Sequence, residues 1–101
     1  MTGLPVIILP QAKADIGRAA SYLEDARPGH GQAFIRQLYA TLLHIRAFPE
    51  SCQRFHGDCR RSVLHRFRQA VVYRVLPGRI EVVGIMHDSR SPERWTARID
   101  N

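Results

Sequence analysis

The dipeptide Pro77-Gly78 constrains this chain more than any other feature. It stands between RQAVVYRVL and RIEVVGIMHD, two runs crowded with β-branched and aromatic residues, and a third such run, CRRSVLHRF, precedes them. Pro suits the first central position of a type II turn and Gly the second, where φ is positive. The three runs therefore predict an antiparallel meander. Pairing outward from the turn sets Leu76 against Arg79, Val75 against Ile80, Arg74 against Glu81 and Tyr73 against Val82. It continues with Val72 against Val83, Ala70 against Ile85 and Arg68 against His87. Opposed residues share a face. One face collects Val71, Tyr73, Val75, Ile80, Val82 and Met86 and reads as core. The other collects Arg68, Ala70, Val72, Arg74, Glu81, Val83, Ile85 and His87. Both faces carry apolar residues, so both are expected to be covered, one by the chain's own helices and the other by something else. A slip of one residue would exchange them.

The residues before the meander supply those helices. Leu4 to Leu9 is short and rich in β-branched residues, so it predicts a buried first strand, and Pro10 suits the first position of a helix. Ala12, Ile16, Ala19, Ala20 and Leu23 recur at helical spacing from Gln11 to about Ala26. After the break at 27–31, Phe34, Ile35, Leu38, Leu42 and Ile45 do so from Gln32 to about Ala47. Two amphipathic helices with a short connection form a hairpin that lies on the sheet. Phe48-Pro49-Glu50 ends the second helix, and Ser51 to Asp58 reads as a polar loop. At 101 residues the chain is expected to form one domain, residues 1–101, of α+β class with element order β-α-α-β-β-β.

Charge points to acidic partners. The net charge is +6, and fourteen of the fifteen basic residues are arginine. Residues 1–57 carry six basic and four acidic side chains, whereas residues 58–101 carry nine and five, so the charge belongs to the sheet half. No stretch is long enough to span a bilayer and Leu4–Leu9 is too short for a signal-peptide core, so a cytoplasmic location without membrane contact is expected. Cys52 and Cys59 are then free thiols.

Several local strings, in order, resemble the RelE/ParE superfamily, the toxins of bacterial type II toxin–antitoxin modules. These are LPQAKADIGRAASYLED, FIRQLYATLLHIRAFPE, RRSVLHRFRQAVVYRV and IEVVGIMHDSRSPERW. The last is the most specific, a strand ending in His87 followed by Arg90, Pro92 and Trp95. Arg68-Gln69 departs from the pattern, because many relatives have Pro and an aromatic there. The resemblance covers about Val6 to Arg98 and is ParE-like. It implies a cognate ParD-like antitoxin that wraps the toxin and through which alone operator DNA is contacted. It also implies one of two activities: poisoning of DNA gyrase, as in ParE-like members, or ribosome-dependent mRNA cleavage, as in RelE-like members. A non-toxic antitoxin-binding module is a third reading.

The residues bear on that choice. Arg60, Arg61, Arg66 and Arg68 form a basic cluster with no acidic neighbour between Cys59 and Gln69. Arg60 and Arg61 are candidate target contacts, with Arg90, Arg94, Trp95 and Arg98 in a tail too poor in apolar surface to be a core element alone. The strip Ala70, Val72, Val83 and Ile85, bordered by Arg68 and Arg74, is the candidate antitoxin surface. If the activity is ribonucleolytic, His87 would move protons while Arg90 and Arg61 stabilise the phosphate. A lone histidine, with no tyrosine beyond Tyr73, is a thin basis for that chemistry, and no catalytic residue is assigned otherwise. Cys52, His56, Cys59 and His65 are donor types, but their spacing matches no common zinc pair, so neither metal nor cofactor is expected. Arg74 and Glu81 should form a cross-strand ion pair.

Overall fold

The computed structural model describes residues 3–87 and 92–100. Strand β1 (Val6–Ile8) leads into helices α1 (Pro10–Ala26) and α2 (His30–Ala47). Strands β2 (Arg54–His56), β3 (Cys59–Leu64), β4 (Gln69–Leu76) and β5 (Arg79–His87) follow, and helix α3 (Pro92–Asp100) comes last. The sheet has five strands in the order β1-β5-β4-β3-β2. The class is α+β, as expected, but two elements are additions to the predicted order. The loop before the meander contains β2, folded back on β3, and the tail contains α3. The sheet is also mixed, because β1 runs parallel to β5 while the remaining pairs are antiparallel.

Local chemistry sets the ends of these elements. Pro10 occupies the first turn of α1, where its missing N–H needs no partner. The Glu24 carboxylate of α1 accepts hydrogen bonds from the N–H groups of Gly29 and Gly31 at 2.9 and 3.1 Å. An acid therefore caps the positive end of α2 and closes the hairpin. Gly78 has φ +80°, as the turn requires, and Leu76 pairs with Arg79. Between β3 and β4 the chain makes one 3-10 turn, His65–Phe67, and leaves it through Arg68 at φ 57°. This is the position where the sequence departs from the superfamily pattern, and a left-handed residue turns the chain there instead.

The register from the turn holds through Val75–Ile80, Arg74–Glu81 and Tyr73–Val82 and then shifts. Val72 faces Gly84, not Val83, and Ala70 faces Met86, not Ile85. The cause is a bulge between Val72 and Tyr73 that leaves Val83 as an extra residue on β5. Past it, Ile85 and Met86 exchange faces relative to the expectation. Ile85 joins the main core with Val71, Tyr73, Ile80 and Val82, beneath Phe34, Leu38, Leu42 and Ile45 of α2 and Ala12 and Leu23 of α1. Met86 joins Cys59, Ala70, Val72, Val83 and Trp95 in a second, smaller core on the opposite side of the sheet. His87 consequently pairs with Gln69, not Arg68.

Candidate functional site

The second face of the sheet is where most of the sequence-selected residues converge, and the chain covers much of it with its own tail. Trp95 of α3 is 6% exposed and packs in the second core, with Phe55 of β2 and Ile99 of α3 at its margin. Its seat is Gly84. A Cβ at that position would lie 2.4 Å from one ring carbon of Trp95, so only glycine leaves room for the indole. The tail therefore contributes to a core that it does not form alone, with Trp95 as its packing residue. The candidate antitoxin strip is correspondingly closed. Ala70, Val72 and Val83 are buried in the second core and Ile85 lies on the other side of the sheet. The apolar strip is thus not open to a partner while α3 is docked.

Charge completes the docking. β1 pairs with β5 only as far as Val82, and beyond it the outer edge of β5 has no strand partner among the described residues. Two side chains fill the gap. The carboxylate of Asp15, on α1, accepts a hydrogen bond from the Ile85 N–H at 3.0 Å. Arg98, on α3, donates to the Val83 carbonyl at 3.3 Å and pairs with Asp15 at 2.9 Å. An arginine–aspartate pair thus presents one donor and one acceptor to the strand edge, as another strand would. Arg18 adds a second cation to Asp15 at 2.6 Å, and the Arg98 guanidinium lies 4.6 Å from the centre of the Trp95 ring. At the other end of the helix, the Asp100 carboxylate meets His56 Nε2 of β2 at 2.9 Å. Asp15 was not singled out from the sequence, and His56 was considered only as a metal-donor type. The signal for Asp15 was its place beside Ala12 and Ile16 on the apolar stripe of α1, where a carboxylate requires a cationic partner.

The candidate target contacts separate into distinct groups. Arg60 donates to the carbonyls of Glu50 and Cys52 at 3.1 and 2.6 Å and ties β3 to the preceding loop. Arg61 is exposed and lies 5.7 Å from the Phe55 ring centre; Arg66 is exposed and lies 5.0 Å from that of Phe67. Arg98 and Trp95 hold α3 in place. Arg90 lies outside the described residues, as does the side chain of Arg94. Arg68 is exposed at the sheet end. Arg74 forms the expected pair, donating from Nε and Nη2 to one oxygen of Glu81 at 3.0 and 2.8 Å, while Arg79 donates to the other at 2.9 Å. These hydrogen bonds, that of Arg74 first, hold the Glu81 carboxyl below its ordinary value.

Of the residues considered for RNA cleavage, the two described, His87 and Arg61, do not converge. His87 shares a face with Gln69 and Ile85, whereas Arg61, opposite Val72, projects from the other face. The thiols are divided in the same way: Cys52 packs against the main core and Cys59 lies in the second. Burial raises the pKa of Cys59, so its thiol stays protonated at neutral pH. Tyr73 is likewise raised by burial, and its hydroxyl donates to the Pro49 carbonyl at 2.9 Å. Among the described residues, no group of three His, Cys, Asp or Glu could hold a metal ion, and no helix is long and apolar enough to cross a membrane.

Comparison with known proteins places this arrangement. The profile of the ParE toxin of the type II toxin–antitoxin system parDE matches residues 6–92. Among solved structures, one described as a chromosomal ParDE TA system from P. aeruginosa superposes with a TM-score of 0.74 at 14% identity, over 83% of this chain and 95% of that one. That likeness is one of fold. No curated protein sequence matches.

Proposed function

The chain belongs to the ParE toxin family of type II toxin–antitoxin systems, and from that premise we propose that it is held silent by a ParD-like antitoxin and, when released, poisons DNA gyrase. The family match over residues 6–92 carries this reading, and the choice of gyrase rests on the ParE-like character of the sequence. Removing a proton from a ribose hydroxyl and stabilising the pentacovalent phosphate require an acid–base group and cations within one site. His87 and Arg61 stand on opposite faces of the sheet, which favours a poison that binds its target over a ribonuclease. Arginine alone cannot exchange protons near neutrality. The exposed cations Arg61 and Arg66 are the contacts we assign to the acidic target.

The test is a purified-component assay. The protein should inhibit supercoiling by gyrase or trap cleaved DNA, and leave ribosome-bound mRNA intact. His87→Gln should retain toxicity in cells, whereas Arg61→Glu should reduce it. Cuts in A-site mRNA by the wild type, together with loss of toxicity in a stable His87→Gln protein, would establish the ribonuclease instead.

A further inference from the structure

The sheet face first read as the antitoxin surface is occupied by α3, so a partner that leaves α3 in place binds elsewhere. Six large hydrophobic side chains among the described residues are substantially exposed, and three of them lie on or at the end of α2: Tyr39, Leu43 and Phe48, at 61%, 66% and 59%. Tyr39 and Leu43 are four residues apart on α2 and therefore stack on the same side of the helix. Phe48 is the residue that caps the end of α2, and its ring centroid lies 5.3 Å from that of His44. The opposite side of α2 is the one buried on the sheet, through Phe34, Leu38, Leu42 and Ile45. The helix is thus apolar on both sides, and among the described residues only one side has a partner within the chain.

The charge around this second stripe has a single sign. Residues 30–47 contain no aspartate or glutamate, while Arg36 and Arg46 are exposed beside the stripe. A second copy of the same chain would bring these cations against one another, in a protein that already carries a net charge of +6. An acidic amphipathic segment would instead bury the aromatic and leucine side chains while its carboxylates meet the arginines.

We propose that the outward stripe of α2, centred on Tyr39 and Leu43, is the surface on which the antitoxin docks, through a segment that is apolar on one side and acidic along its borders. This rests on the reading of the chain as a toxin with a protein antitoxin, and it assigns that partner to the helical hairpin while α3 stays in place on the sheet. Leu43 contributes contact area and Arg36 contributes steering, so their losses differ in kind. A charge at Leu43 removes the burial of one leucine side chain and sets a carboxylate inside the contact, so its loss falls chiefly on the dissociation rate. Reversal at Arg36 acts chiefly on the association rate and its dependence on salt.

The experiment is a calorimetric and kinetic titration of the purified toxin with the antitoxin encoded in its own operon. Leu43→Glu is expected to weaken binding about a hundredfold. Arg36→Glu is expected to slow association about tenfold at low salt and to flatten its salt dependence. Val63→Glu, an exposed substitution on the sheet, should leave both unchanged. Because Leu43 is largely exposed, the variant should keep wild-type ellipticity and thermal midpoint, which are measured on the same samples. Wild-type affinity in a folded Leu43→Glu protein overturns the proposal, as does a concentration-dependent dimer of the wild type that Leu43→Glu abolishes. A wild-type protein that binds no product of its operon would instead remove the toxin–antitoxin reading itself.

Discussion

Replacing Gly84 by alanine adds one methyl group at the seat of Trp95, and the structure fixes what that methyl meets. Its carbon would stand 2.4 and 2.9 Å from two atoms of the indole and 2.7 Å from Oδ2 of Asp15. The strand backbone cannot withdraw easily, since β5 is held by β4 on both sides of the bulge. The helix can, because α3 is short and attached mainly by Trp95, Arg98 and Asp100. The expected outcome is therefore displacement of Trp95 and loosening of α3, with the helical hairpin and the main core left intact.

Two effects of opposite sign determine the magnitude. Alanine restricts the unfolded chain more than glycine does, which by itself would stabilise the protein by about 0.4–1 kcal/mol. Overpacking costs about 1–3 kcal/mol, and the contacts here are short enough to place it in the upper part of that range. The net is a loss of about 1–2 kcal/mol, or roughly 5–15 °C in thermal midpoint for a domain of this size. Trp95 is the sole tryptophan, so its fluorescence reports the docking of α3 directly. Emission should shift to longer wavelength and become more accessible to a quencher in Gly84→Ala, under conditions where far-ultraviolet ellipticity changes little. An alanine variant with wild-type emission and an equal or higher midpoint would refute the seat, because the entropy effect would then stand unopposed.

The other predictions address the polar attachments. Asp15→Asn keeps an acceptor for the Ile85 N–H but removes the charge that Arg98 pairs with; a loss of about 1–3 kcal/mol in a urea titration is expected, discounted for the partial exposure of Arg98, with a Trp95 emission shift alongside. Glu81 has a folded-state pKa below its ordinary value of 4.5, so its contribution to stability is present above that value and is lost as pH falls through the lowered one. Urea midpoints measured from pH 7 down to pH 3 should therefore fall less steeply below about pH 4.5 in Glu81→Gln than in the wild type.

What was legible in the sequence was what short-range chemistry determines. Pro10, the two helical stripes and Pro77-Gly78 each act within a few residues, and they located the hairpin of helices, the β4–β5 turn and the Arg74–Glu81 pair. The register then failed at one residue, Val83, and every side chain beyond it changed face. A signal was present, since a glycine inside a strand marks a bulge or a close approach, and Gly84 marks both. The parallel pairing of β1 with β5 had no comparable local sign, because it joins segments more than seventy residues apart.

Helix α3 was missed for a different reason, and the reason bears on how such a tail should be read. Its stretch, PERWTARID, offers one large aromatic and one isoleucine, too little to predict a core element by apolar content. Its attachment is divided instead among groups whose partners lie elsewhere: an indole whose seat is the absence of a Cβ at Gly84, a guanidinium that needs Asp15, and a carboxylate that meets His56. Two of those partners stood out of place in the sequence. Asp15 sits on an apolar stripe, and Gly84 interrupts a run of β-branched residues. A buried carboxylate requires a cation and a strand glycine admits a bulky neighbour, so the two oddities together call for an arginine and an aromatic from the same element. Trp95 and Arg98, three residues apart on a helix, supply both from one face.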